Sequence, residues 1–109
     1  MPIPYRSTPV FDETTLPVGL RREHRTKART WGVIRVMEGR LALRLLDRHF
    51  ETILMPGCPG LILPGQPHSV APLGRMRMQI DFYNVPPAEW SVSPDLGLLA
   101  DKVSDRTDT

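Results

Sequence analysis

The sequence predicts an all-β protein, built as an antiparallel sandwich or a small barrel. Twelve prolines and eight glycines among 109 residues divide the chain into short segments, which favours strands over long helices. Between these breaks, apolar residues form short runs or alternate with polar ones. With 40% hydrophobic and 24% charged residues, we expect one folded domain over residues 1–109, with its core at about 16–84 and a tail at 85–109.

The N-terminal segment is predicted to be an extended arm. Residues 1–19 contain four prolines, each of which removes a backbone donor and restricts φ. Because proline within a sheet is confined mainly to edge strands, we expect at most one short edge strand, around residues 8–11, and no helix.

Two apolar segments separated by a Glu-Gly turn predict a β-hairpin. Residues 31–37 and 40–46 each have strand length, and the turn residues lie at 38–39. Further breaks at proline, glycine or aspartate delimit two more short strands, at 50–54 and 61–63.

The last two predicted strands follow a Pro-Gly-Gln-Pro turn. A strand at 68–71 comes first, and a regular alternation then runs through 75–83. The alternation predicts a core face with Met76, Met78, Ile80 and Phe82, and a polar face with Arg75, Arg77, Gln79, Asp81 and Tyr83. In the tail, Ser93 is predicted to cap a short helix.

Composition argues against several classes of partner and reaction. A net charge of +2 gives no indication of nucleic-acid binding, and the apolar runs are shorter than the roughly 20 residues that span a bilayer. No signal-peptide segment is evident and the single cysteine cannot form an internal disulfide, so we expect a cytoplasmic protein without a membrane partner. No catalytic triad pattern, phosphate loop or carboxylate pair identifies an enzyme.

Four segments together resemble a known family, the small tellurite-resistance-protein-like cupins, which precede the methyltransferase in some TehB proteins and stand alone in YeaR-like proteins. The segments are 24–32 (HRTKARTWG), 36–39 (VMEG), 64–70 (PGQPHSV) and 80–83 (IDFY). The resemblance covers residues 16–83. It implies a cupin double-stranded β-helix, which is a jelly-roll barrel, often present as a homodimer.

The resemblance also implies a site in the mouth of the barrel. Metal-binding cupins use three histidines and one glutamate, and of these only His24 and His68 have counterparts here. The expected metal is a divalent transition ion, Zn, Ni, Fe or Mn, with Asp81 as the third ligand and Glu23 as the second choice. The alternatives are that His68 is a buried histidine bonded to a carbonyl, and that Asp81 pairs with Arg77 on its own face.

A small anion is the other ligand that these residues would suit. Lys27 and Arg29 lie close to His24 in a basic segment, and with Gln79 they are candidates for binding an oxyanion such as tellurite or nitrate, or a small carboxylate. The alternative is a solvated run of charges.

Three functional hypotheses follow from these observations. The first is a small cupin that binds a metal ion or small anion, in a response to tellurite or other oxyanions. The second is a metal-dependent cupin enzyme of the dioxygenase or isomerase type. The third is a structural module that forms dimers.

Overall fold

The computed structural model describes residues 3–87, which form two antiparallel β-sheets packed face to face. The all-β prediction is confirmed over residues 3–87, where one helical turn is the exception. The elements in chain order are β1 (Arg6–Ser7), β2 (Phe11–Asp12), α1 (Val18–Arg21), β3 (Trp31–Glu38), β4 (Leu41–Leu45), β5 (Phe50–Leu54), β6 (Gly60–Ile62), β7 (His68–Pro72) and β8 (Arg77–Tyr83).

The larger sheet, sheet A, has the strand order β1-β8-β3-β6, and β2 also pairs with β8. The smaller sheet, sheet B, has the order β5-β4-β7. No strand pairing among residues 3–87 joins the two sheets into a closed barrel. The described part of the chain is therefore a sandwich, one of the two architectures that the sequence predicts.

The predicted hairpin of β3 with β4 is wrong. β3 pairs with β6 and β8 in sheet A, whereas β4 pairs with β5 and β7 in sheet B. The cause lies at the end of β3, where the register shifts between Val36 and Glu38 and Gly39 adopts a left-handed φ of 73°. The turn therefore carries the chain across the core, so that the apolar faces of β3 and β4 oppose each other.

The core fills the space between the sheets. Met76 and Met78 are fully buried, and Ile80 and Phe82 pack with them, so the predicted core face of the last strand is confirmed. Sheet B contributes an inner face of its own. Its buried members are Leu41, Leu43, Leu45, Leu54 and Val70.

The N-terminal arm differs from its prediction in two ways. It forms two short edge strands on β8 rather than one, and the expectation of no helix is wrong because α1 forms one turn at Val18–Arg21. Pro17 precedes this turn, and proline is compatible with the start of a helix because its missing N–H would have no partner there. Leu20 then packs against the core. The predicted Ser93 helix lies outside the described residues.

Asp12 closes the turn before this helix. Its Oδ1 accepts hydrogen bonds from the backbone N–H and hydroxyl of Thr14 and of Thr15. The Thr14 hydroxyl is the largest cause that lowers the pKa of Asp12 to about 2. No helix in residues 3–87 is long and apolar enough to cross a membrane.

Candidate functional site

His68 lies at one end of the sandwich, on the inner face of sheet B. It is the first residue of β7 and stands directly opposite Leu45 of β4. Directly opposite residues of an antiparallel pair project to the same face, and Leu45 belongs to the core. The His68 side chain therefore points between the sheets, and only 3% of the residue is exposed.

His24 extends the same row of side chains. Its backbone forms an antiparallel bridge with His68, in which each N–H donates to the other residue's carbonyl oxygen at 2.8 Å. The two imidazole ring centroids are 5.5 Å apart and the ring planes are nearly perpendicular, at 87°. The fold thus brings together two histidines that are far apart in sequence, with His24 on the exposed side and His68 on the buried side.

The protonation of His68 follows from its surroundings. Its Nδ1 lies 3.0 Å from the backbone oxygen of Gln66, and a carbonyl oxygen only accepts, so Nδ1 carries the proton. Burial, as the largest cause, and the charge of His24 lower the pKa of His68, while the bond to Gln66 opposes them. The ring is therefore neutral at pH 7, and its lone pair is on Nε2.

The Nε2 atom of His68 has no hydrogen-bond partner among residues 3–87. It is an acceptor in a residue that is almost completely buried. A buried acceptor without a donor costs about 1–3 kcal/mol, so such an atom calls for a particular explanation.

The loop that precedes His68 is held by buried polar side chains. The Gln66 side chain accepts from the backbone N–H of Leu63 at 2.9 Å and donates to Asp47 at 3.1 Å. The hydroxyl of Thr26 donates to the Leu63 carbonyl and accepts from the Gly65 N–H, both at 3.0 Å. These contacts fix the backbone from which His68 projects.

Sequence reasoning did not predict a role for Gln66, Thr26 or Asp47. A signal was available for the first two, since both lie inside the segments that carry the family resemblance. The methyl group of Thr26 also lies 3.5 Å from the position that a Cβ on Gly32 would take, on the inner face of β3.

His24 lies in a basic segment of the sequence. Residues 21–29 carry five arginine or lysine side chains and one acidic side chain, Glu23. Arg25 donates to the carbonyl of Gly65 at 3.1 Å and pairs with Glu23 at 3.3 Å, so it lies against the loop that leads to His68. Lys27 and Arg29 are exposed, and their side chains form no hydrogen bond or ion pair with the described residues.

The candidate ligand Asp81 lies away from the histidines. Its neighbours Ile80 and Phe82 pack in the core, so Asp81 projects from the outer face of sheet A. There its carboxylate accepts from Arg35 at 2.8 Å and from the Ser7 hydroxyl at 2.7 Å.

The alternative pairing of Asp81 with Arg77 is not observed, because Arg77 pairs with Glu38 at 3.2 Å. Gln79 shares the outer face with Asp81, and its side chain donates to the Thr8 carbonyl at 2.8 Å. Its contact holds the N-terminal arm against β8.

Within residues 3–87, these positions supply fewer ligands than a divalent metal ion usually takes. Zinc and related ions take at least three protein ligands, whereas His24 and His68 are only two. No group of three or more histidine, cysteine, aspartate or glutamate side chains that could hold a metal occurs within residues 3–87. Glu23, the second choice, is engaged by Arg25. The donor set at this end fits hydrogen bonding better than metal coordination.

Comparisons with known proteins agree with this architecture. The TehB-like domain family matches residues 6–80. TehB from Haemophilus influenzae is 29% identical, with 74% of this chain and 30% of that chain covered and a TM-score of 0.67. A protein from E. coli (strain K12) is 23% identical, with 79% of this chain and 93% of that chain covered and a TM-score of 0.69. This likeness bears on the fold alone. No curated protein matches, and the alignment covers less than a third of that TehB.

Proposed function

The chain belongs to the TehB-like domain family, and we propose that it is a binding domain for small oxyanions of the tellurite type. The ligand is held at the end of the sandwich where His24 and His68 meet. On this proposal, the two sheets are the two halves of a cupin jelly roll, and the histidine end is its mouth.

One observation carries the proposal, the buried Nε2 of His68 that has no donor among residues 3–87. A fold that keeps such an atom loses about 1–3 kcal/mol unless a ligand or a water supplies the hydrogen bond. His24 is exposed and its ring centroid lies 5.5 Å from that of His68, so on this proposal the ligand approaches the acceptor from the His24 side.

The charge of the surrounding segment favours an anion. Lys27 and Arg29 are free of ion pairs within residues 3–87, and Arg25 is held near the loop by Gly65. Guanidinium and ammonium groups bind oxyanions through charge-assisted hydrogen bonds. These cations are exposed, so their attraction for the ligand will weaken as salt is added.

The test is calorimetric titration of tellurite into the purified domain. Tellurite oxidises thiols and Cys58 is exposed, so every protein in the series carries Cys58→Ser. We expect saturable binding, and we expect His68→Leu to abolish it and His24→Ala to weaken it.

The control variant is His49→Asn. His49 is exposed in the turn between β4 and β5 at a φ of 50°, which asparagine tolerates, and it is not part of the histidine pair. The control should bind tellurite as the parent does. The proposal fails if the parent shows neither heat nor a shift in melting temperature, or if His68→Leu binds as tightly as the parent.

A further inference from the structure

We infer that this site selects oxyanions that carry a hydroxyl proton and rejects oxyanions of the same shape that carry none. The inference rests on the proposed function and specifies the class of ligand. It depends on the direction of one hydrogen bond, the one that His68 makes to the ligand.

The direction is set by the backbone of Gln66. Its carbonyl oxygen, 3.0 Å from Nδ1 of His68, cannot donate, so it holds the ring in the tautomer with the proton on Nδ1. The remaining nitrogen, Nε2, then presents a lone pair. A ligand atom that contacts Nε2 must bring its own hydrogen.

Rotation of the ring cannot replace this acceptor by a donor without breaking a hydrogen bond. A rotation that moved Nδ1 away from Gln66 would leave the Gln66 carbonyl without its donor. The loop cannot follow the ring, because Thr26 holds Leu63 and Gly65, and Asp47 holds the Gln66 side chain. The acceptor is thus fixed before the ligand arrives.

Protonated and unprotonated oxyanions meet this acceptor differently. Hydrogen tellurite places an O–H on Nε2 while its other oxygens accept from the cations of residues 21–29. An oxyanion without a proton sets an oxygen lone pair against the nitrogen lone pair. A site built around a buried hydrogen bond discriminates strongly against the analogue that lacks the donor, and we expect a factor of about ten or more in affinity.

Iodate is the matched probe. Hydrogen tellurite and iodate are both pyramidal, both have three oxygens and both carry one negative charge at neutral pH, but only the first has an O–H. Calorimetry on the Cys58→Ser protein should give hydrogen tellurite an affinity about tenfold or more above that of iodate. Hydrogen carbonate and nitrate form a second, planar pair for which the same order is expected.

A second variant connects the preference to His68 itself. In His68→Gln, the side-chain amide reaches the region of Nε2 and turns to donate or to accept. We expect this variant to gain affinity for iodate, so that the ratio between the two anions falls toward one. Melting temperatures within a few degrees of the parent will verify that the variant is folded.

The outcomes separate the two claims. If tellurite does not bind, the proposed function fails. If tellurite and iodate bind equally well and His68→Leu abolishes both, the oxyanion site stands and the inference is overturned. The inference is also overturned if His68→Gln keeps the full preference for hydrogen tellurite, because the preference would then arise from another group.

Discussion

Replacing His68 by leucine should cost the fold little, although the residue is buried at 3% exposure. The substitution removes the hydrogen bond from Nδ1 and leaves the Gln66 carbonyl without a donor, which costs about 1–3 kcal/mol. It also removes the unsatisfied acceptor Nε2, and this stabilises the variant by a similar free energy. In addition, it places an apolar side chain beside Leu45. We therefore expect the free energy of unfolding to fall by no more than about 1 kcal/mol.

Urea denaturation at about pH 8, where histidine is neutral, measures this change. Leu45→Ala serves as the comparison, because it deletes a core side chain directly opposite His68 and should cost about 2–5 kcal/mol. If His68→Leu loses as much stability as Leu45→Ala, then Nε2 is satisfied in the native protein and the reasoning about an orphaned acceptor is refuted.

The same variant predicts a change in pH dependence. Burial lowers the pKa of His68 from its ordinary value of 6.5, so below that pH the unfolded chain binds a proton that the native ring resists. The contribution of His68 to stability is therefore complete above pH 6.5 and is lost as the pH falls through the lowered native pKa. The parent should lose stability over this interval, and His68→Leu should lose less. Equal slopes would contradict the lowered pKa.

Three further substitutions are tested by urea denaturation, and two of them also by tellurite titration. Gly60→Ala should destabilise by about 1–3 kcal/mol, because its Cβ would lie 2.9 Å from side-chain atoms of Leu43 and Leu54, whereas Gly19→Ala meets nothing within 4 Å and should not; equal effects would refute the close packing. Thr26→Val removes two loop hydrogen bonds, so it should lower the free energy of unfolding by about 1–3 kcal/mol and should also weaken tellurite binding. Unchanged affinity would contradict the positioning role of Thr26. Asp81→Asn should cost about 1 kcal/mol yet leave tellurite binding unchanged, and a loss of binding would place Asp81 in the site.

The alternation of apolar and polar residues was sufficient to assign the two faces of a strand but not the strands with which it pairs. The alternation through the last strand correctly predicted which side chains enter the core, since burial depends only on the local pattern. The pairing of β3 with β4 failed because a Glu-Gly turn is compatible with either a hairpin or a crossing between sheets. The bulge before Glu38 and the approach of Gly39 to Arg75 select the crossing, since the Arg75 carbonyl would clash with any side chain at position 39. Both features depend on tertiary contacts that the local sequence does not reveal.

The sequence alone indicates that Asp81 and His68 cannot bind the same metal ion. Val70 lies two residues after His68 on the same strand, so the two share a face, and a valine in a short apolar strand belongs to the core. Asp81 lies between two core residues of its own strand and must therefore face outward. In a two-layer sandwich, an inward side chain of one sheet and an outward side chain of the other are separated by the second sheet.

A backbone bridge, and not the alternation of a strand, brings His24 to His68. His24 belongs to no regular strand, so no alternation predicts its direction, and only its two backbone bonds to His68 place it in the row. That row runs across the end of sheet B through Phe50, Leu45, His68 and His24, from an exposed apolar residue to an exposed imidazole. The buried acceptor thus lies next to the basic segment that includes Lys27 rather than next to the carboxylates of the outer face. This placement favours an anionic ligand over a cationic one.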